Sequence, residues 1–156
     1  MNLKIKRIIY AVLIFLTCII IFNFSSQNSE KSSETSGVIV DRVVNTISTV
    51  NKKAKKENLK EKVTFLVRKS AHFSIYTLLG IWLMCFANTY EISLRKKFLI
   101  CILIGTSYAI SDEIHQFYIG GRSCEIRDIC IDSCGVLFGN AITMAVKKIN
   151  TKIKKQ

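Results

Sequence analysis

Proline is absent from all 156 residues, so no helix is forced to kink for want of a backbone donor. Several chemical signatures are missing as well. No HExxH pair, no GxSxG nucleophile turn and no CxxC pair occurs, and no internal repeat is visible. Ser25, Ser26 and Ser70 therefore have no context that marks a nucleophile. Acidic residues are scarce, 11 against 23 basic ones, for a formal charge of +12. That surplus raises the question of nucleic acid, but the basic residues cluster beside apolar runs. There they set topology or meet anionic head groups, and no nucleic-acid partner is expected.

What is present is apolar sequence in long blocks. Hydrophobic residues make up 49% of a chain that also carries 22% charge. Ile8 to Phe24, Ala71 to Ala87, Phe98 to Ile119 and Ile126 to Val146 each approach the length that crosses a hydrocarbon core of roughly 30 Å as a helix. Too little polar surface remains to cover four such runs as buried core helices. The expectation is an all-α membrane protein of four transmembrane helices, with the lipid bilayer as its first partner. The first run follows Lys4, Lys6 and Arg7 but exceeds a signal-peptide core, and FNFSSQ does not resemble a cleavage site. Residues 1–24 are thus expected to be an uncleaved signal anchor. Cys18, Cys85, Cys101, Cys130 and Cys134 lie inside apolar runs, where cysteine acts as a small hydrophobe; only Cys124 falls in a loop.

Residues 25–69 form the one long polar loop. It opens with the serine-rich SSQNSEKSSETSG, and then Val40, Val43, Val44, Ile47 and Val50 recur at helical spacing. An amphipathic helix over about 37–50, capped by Ser36, is expected on the membrane surface or over the bundle. Leu59, Val63 and Leu66 also recur helically, so the second span begins as a longer helix outside the bilayer. Residues 70–146 hold three further spans, and 147–156 a basic tail. The links Asn88 to Lys97 and Gly120 to Glu125 are short enough to make the last three spans antiparallel neighbours. The N-terminus, the Arg95–Lys97 link and the tail are short and densely basic. Both termini are accordingly expected in the cytoplasm of a multi-pass plasma-membrane protein, with the helix-bearing loop outside.

The polar residues of the spans are not scattered. Span one ends in Asn23, Ser25, Ser26 and Gln27; span two begins with Arg68, Lys69, Ser70 and His72. Span three ends with Asp112, Glu113, His115 and Gln116; span four begins with Arg127, Asp128 and Asp132. Up-down topology brings these four ends to one side of the membrane. Such charges cost roughly 2.5–3.5 kcal/mol each at membrane depth, so they are expected to pair, to line a wet cavity or to work. At 100° per residue, Lys69, His72, Tyr76 and Gly80 share one face. Tyr108, Asp112, His115 and Gln116 share a second, with Glu113 turned toward a neighbour. Asp128, Asp132, Gly135 and Gly139 share a third, and GVLFG supplies a GxxxG face for close approach.

Three uses of this layer remain open. It can be an ion-pair network orienting the helices, or a divalent site on His72, His115 and a carboxylate. It can also serve acid–base chemistry or capture of a polar ligand, for which carboxylate beside imidazole in low dielectric is apt. For that last use His72 and His115 would flank Asp112 and Asp132, with Glu113 adjoining. Ser26, Gln27, Lys69, Tyr76, Gln116 and Asp128 would contact the ligand, and Arg122 and Arg127 would draw anions to the mouth.

In this order and spacing, FNFSSQ, RKSAHFSIYTLLG and YAISDEIHQFYIGGRSCEIRDICIDSCG resemble the VanZ-like membrane protein family, over roughly Tyr10 to Val146. The resemblance implies a small multi-span plasma-membrane protein of Gram-positive type. The family's namesake accompanies glycopeptide-resistance gene sets and is associated with low-level teicoplanin resistance. What carries over is the motif: Ser26, Gln27, Lys69, His72, Asp112 to Gln116, Gly121, Arg122, Asp128 and Asp132. It implies no assigned reaction, metal or cofactor. The polar layer on the outer side, where cell-wall and lipid-linked precursors present their head groups, makes such a precursor the expected ligand; an accessory protein without catalysis is the alternative.

Overall fold

The computed structural model describes residues 2–26, 37, 40–46, 56–119 and 125–153. The described residues form helices and short links, with no strand among them: α1 (Leu3–Ser25), α2 (40–46), α3 (Lys56–Ala87), α4 (Leu94–Phe117) and α5 (Ile126–Ile153). α1, α4, α5 and the Leu59–Ala87 part of α3 are each long and apolar enough to cross a membrane. At most a third of the apolar window in each is buried inside the protein. The remaining surface, with Ile8, Phe15, Leu99, Leu103 and Phe138 exposed, is what a lipid-facing bundle requires.

Local chemistry sets the ends. Asn2 caps α1, its Oδ1 accepting from Lys4 N at 3.0 Å. At the other end Ser26 returns both its N–H (2.9 Å) and its hydroxyl (2.7 Å) to Phe22 O. α5 packs chiefly along α3, α4 lies against both, and α1 leans on α3 with a lighter touch on α4. The α3–α5 seam is close because it is lined with glycine. A Cβ on Gly139 would stand 2.1 Å from Thr77 O, one on Gly135 2.7 Å from Phe73 O, and one on Gly80 2.4 Å from Val136 O. Ile21, Tyr76, Leu79, Met84, Ala109 and Val136 fill the core beneath.

With 32 residues, α3 is about 48 Å long, well beyond a 30 Å hydrocarbon core. Its first turns stand outside the apolar span and carry a second small core. Val40 and Val44 of α2 are buried there against Val63, with Leu59 and Val67 partly buried beside them. The helix expected over 37–50 is thus seen at 40–46, resting on the projecting end of α3; Ile47, Val50 and Ser36 lie outside the described residues. Two positions differ from the expected face. Val43 is exposed, and Leu66 is exposed at 61% while Val67 takes its place against α2. The reason is geometric: only the side of α3 turned toward α2 is covered.

At the opposite end, Arg7 Nη2 donates to Thr89 O (3.0 Å), Arg7 Nε donates to Thr89 Oγ1 (3.2 Å), and the guanidinium lies over the Tyr90 ring. Lys147 Nζ donates to Asn88 Oδ1 at 2.8 Å. The start of α1, the α3–α4 link and the end of α5 are therefore one end of the bundle, and the acids are at the other.

Candidate functional site

Each helix delivers its polar residues to the acidic end by one helix face. On α1 the buried residues are Thr17, Ile21 and Ser25, at steps of four. Ser25 is fully buried, and its hydroxyl donates to Asp112 Oδ2 at 2.8 Å. Gln116 Nε2, one turn on in α4, donates to the same oxygen at 2.9 Å and to Ser25 Oγ at 3.2 Å. Tyr108, one turn earlier, donates its phenol proton to Cys18 O at 2.7 Å. This stitching locks α1 to α4 and holds the Asp112 carboxylate in one orientation.

Asp132 faces Asp112 from α5. It is 1% exposed, and neither carboxylate oxygen has a hydrogen-bond partner. His72 Nδ1, from α3, stands 3.7 Å from Asp132 Oδ2, too long for a hydrogen bond but close for a charge contact. One donor atom each from His72, Asp112 and Asp132 lies within 4.8 Å of the other two. Tyr76, one turn beyond His72, is fully buried beside both carboxylates, its hydroxyl turned toward Asp112 without completing a hydrogen bond. Three helices thus aim acid, acid, imidazole and phenol at one point.

A rim of ion pairs surrounds that point. Lys69 is bonded to Asp128, both largely buried. Arg127 pairs with Glu125 and reaches within 4.0 Å of Asp128; Arg127 and Lys69 both lie over the Phe65 ring. Glu113, buried at 1%, accepts from Glu125 N at 3.0 Å, placing a carboxylate at the first turn of α5, where the helix dipole favours it. Lys69 and Arg127 serve the rim acids, and His72 is the basic neighbour of Asp132.

Not every expected residue joins the point. His115 turns to α1, its Nε2 at 3.1 Å from Ser26 Oγ and its ring stacked on Phe22 at 4.5 Å between centroids. The two imidazoles therefore do not flank the aspartates: His72 stands with Asp112 and Asp132, and His115 lies apart from that group. The cause is which helix each face meets: His115 lies at the α1–α4 seam and Asp112 looks inward. Ser26 and Asn23 are exposed rather than inward, Asn23 returning its amide to Ile19 O. Ser25, adjacent to the motif serine, is the buried one; the four-residue step from Thr17 and Ile21 is the signal that finds it. Asn140, two turns beyond Asp132, is fully buried with both amide atoms unpartnered, and sequence reasoning did not single it out. Gln27, Gly121 and Arg122 lie outside the described residues.

The VanZ/LLP1 family model matches residues 8–147, nearly the whole chain and every element of this layer. The chain belongs to the VanZ/LLP1 family. No curated protein and no solved structure matches it. Within the VanZ/LLP1 match fall both the inner group and the rim, while the last residues of the basic tail fall beyond it.

Proposed function

We propose that this family member uses the acidic end of its bundle as an outward-facing intramembrane site that binds or acts on a cell-envelope precursor, a cell-wall or lipid-linked molecule with an anionic head group. The observation that carries the reading is Asp132: a carboxylate with 1% exposure and two unpartnered oxygens, set against His72 and Asp112. Burying an unpaired acid is costly, and such groups concentrate where ligands or protons are handled. His72 is only partly covered, so its imidazole borders both the inner acids and the rim. Lys69 and Arg127 at the rim suit a phosphate or carboxylate. Contribution to tolerance of teicoplanin-type glycopeptides follows from this reading, because a protein that holds or alters the precursor lowers its exposure.

The reading needs the acidic end outside and both termini in the cytoplasm. In a background lacking the native cysteines, an impermeant thiol reagent should label Asn51→Cys and spare Asn88→Cys in intact cells. The reverse pattern overturns the orientation. Precursor binding is checked with protein in nanodiscs and a lipid-linked cell-wall precursor. Asp132→Asn and His72→Gln should insert and fold at wild-type levels yet lose binding and lose any effect on teicoplanin susceptibility.

A second reading rests on the rim itself. Lys69 with Asp128 and Arg127 with Glu125 are the ion pairs of a structural network, as in an accessory protein without catalysis. It predicts that the same substitutions lower the amount of folded protein in step with the phenotype.

A further inference from the structure

We infer that His72, Asp112 and Asp132 form a binding site for one divalent transition-metal cation, Mn2+ or Zn2+, at the centre of the polar layer. Geometry supplies the first argument. The three donor atoms come from three different helices and lie within 4.8 Å of one another. Ligand bonds of about 2.0–2.2 Å in tetrahedral geometry put donors roughly 3.4 Å apart. The side chains therefore close on a common centre by shifts of at most about 0.8 Å each.

Charge supplies the second. Asp112 and Asp132 are 4% and 1% exposed, in a span where two bare carboxylates are strongly disfavoured. Among the described residues, Lys69 is bonded to Asp128 and Arg127 to Glu125. A single imidazole balances the inner pair at best by one charge, whereas a divalent ion balances both acids and leaves His72 neutral, as ligation requires.

The third argument is independent of the cluster. Tyr76, fully buried, turns its hydroxyl toward Asp112 without completing a hydrogen bond, and a metal-bound water would complete one. Ser25 and Gln116 meanwhile fix Asp112 through Oδ2, the outer-shell support that orients ligating carboxylates. One imidazole and two carboxylates suit zinc or manganese better than calcium, and three protein ligands leave coordination positions open. Resting on the function proposed above, those positions would take oxygen atoms of the precursor's phosphate.

The test uses the full chain in nanodiscs, stripped with a chelator and titrated with Mn2+ alone, following free ion by its electron-spin resonance and bound Zn2+ by elemental analysis in competition. One equivalent should bind to wild type and to Asp41→Asn, a surface control. Asp132→Asn and His72→Gln should bind at least about 10-fold to 100-fold more weakly, the loss that even outer-shell changes produce. His72 is partly exposed, so its variant keeps the comparison open if Asp132→Asn fails to fold. Wild type without saturable binding, or variants that bind as wild type does, overturn the inference. No precursor is present, so failure here is distinct from failure to bind precursor. Precursor binding that persists undiminished in chelator would remove the phosphate link alone.

Discussion

Substituting Gly139 by alanine tests the architecture that places the site. The new Cβ would lie 2.1 Å from Thr77 O, 2.8 Å from Ile81 N and 3.0 Å from Thr77 C, where ordinary contact begins at 3.4 Å. Relief therefore needs a displacement of 3.4 − 2.1 = 1.3 Å at the nearest atom. That atom is a backbone carbonyl, so no rotamer change provides it and α5 has to move off α3. Overpacking of this kind costs about 1–3 kcal/mol, while alanine's better helix propensity returns about 0.5–1 kcal/mol. A 2.1 Å approach to a backbone oxygen belongs at the upper end of that cost, so the net expectation is destabilisation of about 2 kcal/mol in a reversible detergent titration. Gly105→Ala gives the contrast, because its obstacles are the Val136 methyl groups at 2.6 and 2.7 Å. Val136→Ala should relieve that clash, giving non-additivity above about 0.5 kcal/mol in a double-mutant cycle. Thr77→Ala should give none with Gly139→Ala, since the offending oxygen is in the main chain. A neutral Gly139→Ala, or one rescued by Thr77→Ala, refutes the close α3–α5 seam and with it the placement of Asp132.

Two further substitutions probe the polar layer. Lys69→Met leaves Asp128 largely buried without its lysine and should destabilise by about 1–3 kcal/mol, less than a fully buried pair because both side chains keep some exposure. Lys69→Met with Asp128→Asn should recover most of that loss, measured in the same titration. Asn140→Leu removes a buried amide with no partner on either atom and should raise stability by about 1 kcal/mol. A drop instead would mean that Asn140 makes a hydrogen bond through water.

Chain order alone gathers the polar groups, since alternating spans return every second end to the same side. Face assignment by 100° steps also works on α3 and α5, where Lys69, His72 and Tyr76, or Asp128 and Asp132, must avoid lipid. On α1 hydrophobicity assigns no face, because that helix is apolar all round; the four-residue step Thr17, Ile21, Ser25 is the one mark of its inward side. Ser25 rather than Ser26 is settled by packing against Gln116 and Asp112. His115 departs from the expected arrangement. It sits 60° from Asp112 on the helical wheel, and sequence does not say whether the neighbour on that side is α1 or α5.

The glycine seam and the acids occupy one face of α5, and this juxtaposition explains why Asp132 stays buried. Lysine or arginine near the end of a span can reach water along a flexible stem. Aspartate has a single methylene and no such reach. Asp132 lies three residues before Gly135, whose missing side chain brings α3 close enough that Phe73 O would block a Cβ. Val136, fully buried, closes the α4 side. Loosening the seam would give the carboxylate a path toward the wet end of the bundle and lower its cost. Instead, tight backbone packing holds a short acid against a second acid that Ser25 and Gln116 pin from α1 and α4. Among the described residues, Lys69 and Arg127 pair with Asp128 and Glu125 at the rim, while the basic side chain that faces the inner acids is His72.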